Sequence, residues 1–134
     1  MQWDFKFCNQ RIKDNFDLAG YNPKWKIIDG IVLDIDNFFD MLKDPFIVIH
    51  ELGHYLGLKH IWGKTVVGSE GNCNDDDGIN DTPQQKKEHN NSNTPDKSCD
   101  GISDSNHQNF MDYSYDVGMF TNEQAEIMRN NIII

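Results

Sequence analysis

The chain has 134 residues, of which 37% are hydrophobic, a size and composition that predict one domain with a modest core. Twelve basic side chains against 22 acidic ones leave a formal net charge of −10, which argues against nucleic acid or anionic lipid as a partner and is compatible with divalent cations and basic peptides, though solubility alone is the preferred reading of the overall charge. The longest apolar runs, residues 46–49 and 132–134, fall far short of the about 20 residues of a membrane span, and residues 1–6 show no apolar segment of a secretory leader.

Near the start, Trp3, Phe5 and Phe7 alternate with Asp4 and Lys6, which predicts a strand with one apolar face. Asn22-Pro23 is a turn signal. Ile27, Ile28, Ile31, Val32, Leu33 and Ile35 flank Asp29-Gly30, predicting two short strands or a hairpin around that pair. Phe38, Phe39, Met41 and Leu42 recur near helical spacing, so a short helix is expected over 36–43. Asp44 as N-cap and Pro45 at the first helical position then open a helix running to about Leu56. Its expected apolar stripe is Phe46, Ile49, Leu52, Gly53 and Leu56, with His50 and His54 on the border.

That helix carries the run HELGHYLGLKH, residues 50–60. Residues four apart share a helix face, so His50 and His54 can aim two ring nitrogens at one ion. His60 cannot join them on the same helix, because ten residues rise about 15 Å. The chain must reverse between them, and Gly57 is the residue that accepts a left-handed turn at little cost. Three imidazoles leave one tetrahedral position open for water, the arrangement of a catalytic zinc. Glu51 lies beside the site, where it can take a proton from zinc-bound water and so activate it for peptide hydrolysis. Three imidazoles also suit copper or nickel, but a glutamate in this register argues for hydrolysis.

Residues 64–109 are polar and rich in Asn, Asp, Ser and Gly, so no regular structure is expected, and a loop of this length is functional or tied down. Asp75, Asp76, Asp77, Asp81 and Thr82 offer hard oxygen ligands close together without EF-hand spacing. His89 and His107 read as surface histidines. Cys8, Cys73 and Cys99 are odd in number, which prevents complete internal pairing, and no CxxC is present to suggest a zinc knuckle. Toward the end, Thr121 and Gln124 form a capping box, Phe120 and Ala125 a hydrophobic staple, and Ala125, Met128 and Ile132 one helical face.

The chain resembles the metzincin metallopeptidases, whose signature is HExxHxxGxxH followed by a methionine turn. Within them it is most similar to the pappalysin, or cytophagalysin, family. The likeness rests on His60-Ile61-Trp62-Gly63, Asp77-Gly78-Ile79-Asn80-Asp81-Thr82-Pro83, Asn109-Phe110-Met111-Asp112-Tyr113-Ser114 and Met119-Phe120-Thr121, in consistent order over about residues 45–131. It implies an α+β zincin with a reduced N-terminal sheet, an active-site helix, a long irregular C-terminal subdomain and a closing helix. The single catalytic domain, 1–134, would divide into an upper part, 1–57, and a lower part, 58–134. Ile31-Val32-Leu33-Asp34 becomes the candidate edge strand along the cleft, with a buried structural strand as the equal alternative.

By the same resemblance, Met111 forms a base beneath the histidines, and Tyr113 donates to the oxyanion. The resemblance implies a calcium site at Asp77 and Thr82, with Asp81; a solvated acidic loop is the alternative. Cys73 and Cys99 form a disulfide, which would contribute about 3 kcal/mol; three reduced thiols of a cytosolic protein are the alternative. Asp116-Val117-Gly118 stands where the family has a further cysteine, removing a second disulfide. Relatives carry a leader, a pro-segment and more sheet ahead of the zinc helix, so the chain is expected to be truncated at its N-terminus, with a displaced gene start or a pared-down variant as the alternatives. The implied function is that of a secreted, monomeric zinc endopeptidase acting on protein or peptide; a catalytically inactive zinc-binding remnant or interaction module is the alternative.

Overall fold

A computed structural model describes residues 45–64, 68–89 and 94–132. The strands expected over 3–7 and 26–35, the helix over 36–43, the Asp44 cap and Cys8 lie outside the described residues. Two helices form, α1 (Pro45–Tyr55) and α2 (Asn122–Asn131). The remainder is turn and irregular chain, with isolated bridges pairing Lys97 with Asp104 and Asn109 with Met119.

α1 ends where glycine permits. Gly57 adopts φ +96°, its N–H donates to His54 O at 2.9 Å, and Leu58 N–H donates to Gly53 O at 2.9 Å. These two bonds make a Schellman motif, which satisfies the last carbonyls of the helix while turning the chain back. Leu58 then enters a small core with Ile61, Trp62, Ile79 and Met111, against which Tyr113, Phe120, Ile127 and Met128 pack.

The buried face of α1 is His50, Glu51, Gly53 and His54, so of the apolar stripe expected from the sequence only Gly53 is buried. Phe46 and Leu52 from that stripe are 39% and 42% exposed. The physical reason is that the described core meets the helix on its histidine side, where Gly53 faces Met111 and Phe120 while Phe46 and Leu52 stay partly exposed.

α2 begins with the expected capping box: Thr121 accepts from Gln124 N–H, and the Gln124 side chain accepts from Thr121 N–H at 2.9 Å. Its inward face differs from expectation. Ile127 and Met128 pack on the core, whereas Ile132 is 51% exposed. The helix stops at Asn131, and Ile132 is its extended C-cap, so it leaves the face that helical periodicity assigned to it. Both ends of α2 are fastened. Glu123 N–H donates to Asp81 Oδ2 at 3.0 Å, and Asn131 Nδ2 donates to Leu56 O at 3.0 Å.

In the described parts of the segment after Lys64, a disulfide and side-chain contacts stand in for regular structure. A disulfide joins Cys73 to Cys99, with Cα atoms 5.7 Å apart. Gln84 lies across it, donating from Nε2 to Cys73 O at 3.1 Å and Asp75 O at 3.0 Å, while its carbonyl accepts from Cys99 N–H at 2.7 Å. Asp100 closes the next turn by accepting from Ser98, Ile102 and Ser103, which hold its carboxyl well below the usual carboxylate range.

Candidate metal centre

The reversal at Gly57 brings His60 to the two helical histidines. The Nε2 atoms of His50, His54 and His60 stand 3.0, 3.1 and 3.3 Å apart. Ligand nitrogens 2.0–2.1 Å from one tetrahedral ion would lie about 3.3 Å from each other, so the triangle fits zinc. Proton placement supports the same fit. His50 Nδ1–H donates to Phe110 O at 2.6 Å and His54 Nδ1–H to Leu58 O at 2.9 Å. With those protons committed to carbonyls, two bare Nε2 lone pairs face one point, an arrangement that repels itself without a cation.

The electrostatics keep the rings neutral, as metal ligation requires. Burial, then the neighbouring His54, lowers the pKa of His50 from 6.5 to about 3. Burial and the two other histidines lower that of His60 from 6.5 to about 2. His54 is also lowered, chiefly by burial, against the opposing pull of Leu58 O and the Glu51 charge. His60 is fixed in plane by Trp62, whose ring stacks on it at 4.4 Å and 12°. Among the described residues, these histidines are the one group of three or more His, Cys, Asp or Glu side chains placed to share an ion.

Glu51 is buried beside His50 and lines, with Asp112, Tyr113, Phe46 and Phe110, a cavity of about 70 Å³ next to the imidazoles. The Tyr113 ring lies 5.4 Å from that of His50, 5.1 Å from His60 and 5.0 Å from Trp62. Met111 is fully buried, and a Cβ on Gly53 would come within 2.4 Å of its Sδ. Gly53, counted from the sequence as part of the apolar stripe, is therefore the gap that lets Met111 reach α1 between the two helical histidines.

The acidic segment is only partly gathered. Thr82 Oγ1 lies 2.9 Å from both carboxylate oxygens of Asp77 and 2.8 Å from Ile79 O. Burial pushes the Asp77 carboxyl up to about 6 against the bonds from Ile79 N–H and Thr82. Asp81 points elsewhere, to the N-terminus of α2.

His89 is not a surface histidine: it is 2% exposed. Its N–H donates to Asp112 Oδ1 at 3.0 Å, which draws the backbone inward, and its Nδ1 lies 3.3 Å from Asp96. His107 is partly buried and pairs with Asp116 at 3.1 Å. Ser114 Oγ lies 2.7 Å from Asp116 Oδ1 and also reaches His107 O, its single proton available to either, so polar contacts tie the 114–116 turn where the expected family cysteine is missing.

Sequence reasoning also missed a buried amide pair. Asn109 Nδ2 donates to Gln124 Oε1 at 2.7 Å, and Gln124 Nε2 donates to Asn109 Oδ1 at 3.2 Å. Asn109 Oδ1 further accepts from Met111 N–H at 2.9 Å, tying the turn beneath the histidines to the cap of α2. Asn109 stood in the motif that carried the family resemblance; its partner could not be read from local pattern.

Comparison with known proteins adds independent findings. The family model described as Peptidase_M43, pregnancy-associated plasma protein-A, matches residues 35–133. The chain is 42% identical to an extracellular metalloprotease of Arthroderma otae over 78 residues, 57% of this chain and 27% of that protein. It is 35% identical to one from Arthroderma gypseum over 123 residues, 88% of this chain and 41% of that protein. The chain thus spans well under half the length of these relatives. Among solved structures, mature mirolysin of Tannerella forsythia in complex with a cleaved peptide matches with TM-score 0.52 and 34% identity, over 63% of this chain and 32% of that one. Mirolysin in complex with compound 9 gives TM-score 0.54 and 36% identity over the same shares.

Proposed function

Because the chain belongs to the M43, or pappalysin, metallopeptidases of the metzincin group, we propose that it is the zinc-holding catalytic portion of an extracellular, monomeric endopeptidase that hydrolyses peptide bonds in protein substrates. The observation that carries this reading is the triangle of neutral Nε2 atoms, 3.0–3.3 Å on a side, beside a buried glutamate. The names of the Arthroderma relatives and the disulfide between Cys73 and Cys99 support an oxidising, extracellular setting.

His50, His54 and His60 hold the metal. Zinc, when bound, supplies a Lewis acid that acidifies water and polarises a carbonyl. Glu51 accepts the proton of the attacking water and returns it to the leaving amine. Tyr113, standing over His50 and His60, donates its hydroxyl to the oxyanion that develops on the substrate. Gly57 supplies the reversal, and Met111 the apolar floor.

The test is cleavage of casein or a quenched peptide by the full chain, with and without chelator. Chelator is expected to abolish cleavage, and Glu51→Gln to lower kcat by about 10²–10⁴ while one equivalent of zinc still binds. Full cleavage by the glutamine variant would refute the mechanism. One equivalent of zinc without turnover by the wild-type chain would favour the second reading, a zinc-binding module. That reading draws on the limited share of its relatives that the chain spans.

We extend the proposal to calcium at Asp77 and Thr82, with Asp81 swinging from α2 to join them. A buried carboxylate whose pKa is raised is one that a divalent cation would relieve. Calcium should raise the melting temperature of the wild-type chain and leave that of Asp77→Asn unmoved; equal shifts in both would remove calcium from this segment.

A further inference from the structure

The cavity beside His50 and Glu51 has a second carboxylate in its wall, Asp112, which the proposed reaction does not use. It is 3% exposed, and burial pushes its pKa up to about 6. Among the described residues, its hydrogen bonds all come from donors. Oδ1 accepts from Tyr113 N–H at 2.8 Å and from His89 N–H at 3.0 Å, and Oδ2 accepts from Gln85 Nε2 at 3.3 Å. One acceptor-only group thus joins the peptide that carries Tyr113 to the segment 85–89.

That segment is itself anchored. Gln85 Nε2 also donates to Lys87 O at 2.9 Å, and the adjacent Gln84 lies across the disulfide. The carboxylate therefore ties Tyr113 to a fixed frame instead of to another loose turn. An asparagine at 112 would have to turn an NH₂ toward one of three donors, so the geometry calls for a carboxylate despite its burial cost. The tyrosine needs such a hold, because its ring touches three others and a displacement of about 1 Å can cost a reaction about 100-fold.

We propose that Asp112 is a positioning residue for Tyr113: by accepting the tyrosine's own N–H and two donors from 85–89, it sets where the phenol stands over the histidines. The proposal deepens the peptidase reading and rests on it.

The experiment uses the full chain with zinc and compares wild type, Asp112→Asn, Tyr113→Phe and the double variant. Asp112→Asn should lower kcat about tenfold with KM within about twofold, and should cost less than about twofold more once Tyr113 is already phenylalanine. In the zinc-free chain, the ring NMR signals lost in Tyr113→Phe should be shifted in Asp112→Asn. An equal loss in both backgrounds, an unchanged kcat, or unshifted ring signals would overturn the proposal. Should the wild type show no chelator-sensitive cleavage, the peptidase reading fails by itself, and the ring signals alone decide for or against the tie. Should Asp112→Asn not fold, Gln85→Leu replaces it; a smaller loss that again vanishes beside Tyr113→Phe supports the proposal, and one that persists defeats it.

Discussion

Two glycines in α1 and its turn show how differently single residues declare their purpose. Gly57 is legible from spacing alone, since a third imidazole at position 60 is useless without a reversal, and its φ of +96° meets that demand. Gly53 is not legible, because its reason is Met111, far along the chain. A methyl at 53 would meet Met111 Sδ at 2.4 Å and Phe120 Cε1 at 3.3 Å, with Met111 already fully enclosed. Gly53→Ala is therefore an overpacking change that should cost about 1–3 kcal/mol. Gly57→Ala should cost about 1–2 kcal/mol through its left-handed backbone, and its Cβ would also come within 2.5 Å of Asn131 Nδ2. Urea titration of the zinc-free variants measures both. A Gly53→Ala chain as stable as wild type would mean that Met111 does not pack where it is described.

At the scale of elements, α2 is more than a closing helix. Its cap holds the turn that carries Met111, through Gln124 and Asn109, and its last residue holds Leu56 O at the end of α1. The capping box was legible because Thr121 and Gln124 stand at the right interval before an apolar pattern. The second duty of Gln124 was not, since one amide serving both a cap and a distant asparagine leaves no local mark. This difference is measurable. Thr121→Ala removes one capping acceptor and should cost about 1 kcal/mol. Gln124→Ala removes the return bond to Thr121 and the acceptor of the fully buried Asn109 Nδ2, so it should cost on the order of 3 kcal/mol. Equal losses in the two variants would show that the amide pair contributes nothing beyond the cap. The same logic explains His89. Polar composition marked residues 64–109 as irregular, and among the described residues no helix or strand forms there. Composition could not show that Asp112 would draw one of its histidines inside.

For the whole molecule, the buried titratable groups pull stability in opposite directions with pH. In the zinc-free chain His50 and His60 stay neutral down to about 3 and about 2, whereas an exposed imidazole protonates near 6.5. Unfolding then takes up protons as the pH falls below 6.5, so these groups withdraw stability across the window from 6.5 toward 3. Asp77 and Asp112 act the other way. Their carboxyls are raised from 3.8 to about 6, so the folded chain takes up protons through that window and gains stability as the pH falls. The histidine depressions are wider than the carboxylate rises and begin at a higher pH, so the histidines win. The zinc-free chain should melt at a lower temperature at pH 5.5 than at pH 7.5. Zinc at about 100 times its dissociation constant should add about 2.7 kcal/mol. Replacing His60 by alanine removes both the acid sensitivity it contributes and most of the zinc stabilisation, so thermal melts of this variant at the two pH values, with and without zinc, separate the histidine contribution from that of the carboxylates. If the variant keeps the full pH dependence of the wild type, the triangle of imidazoles is not what makes the fold sensitive to acid.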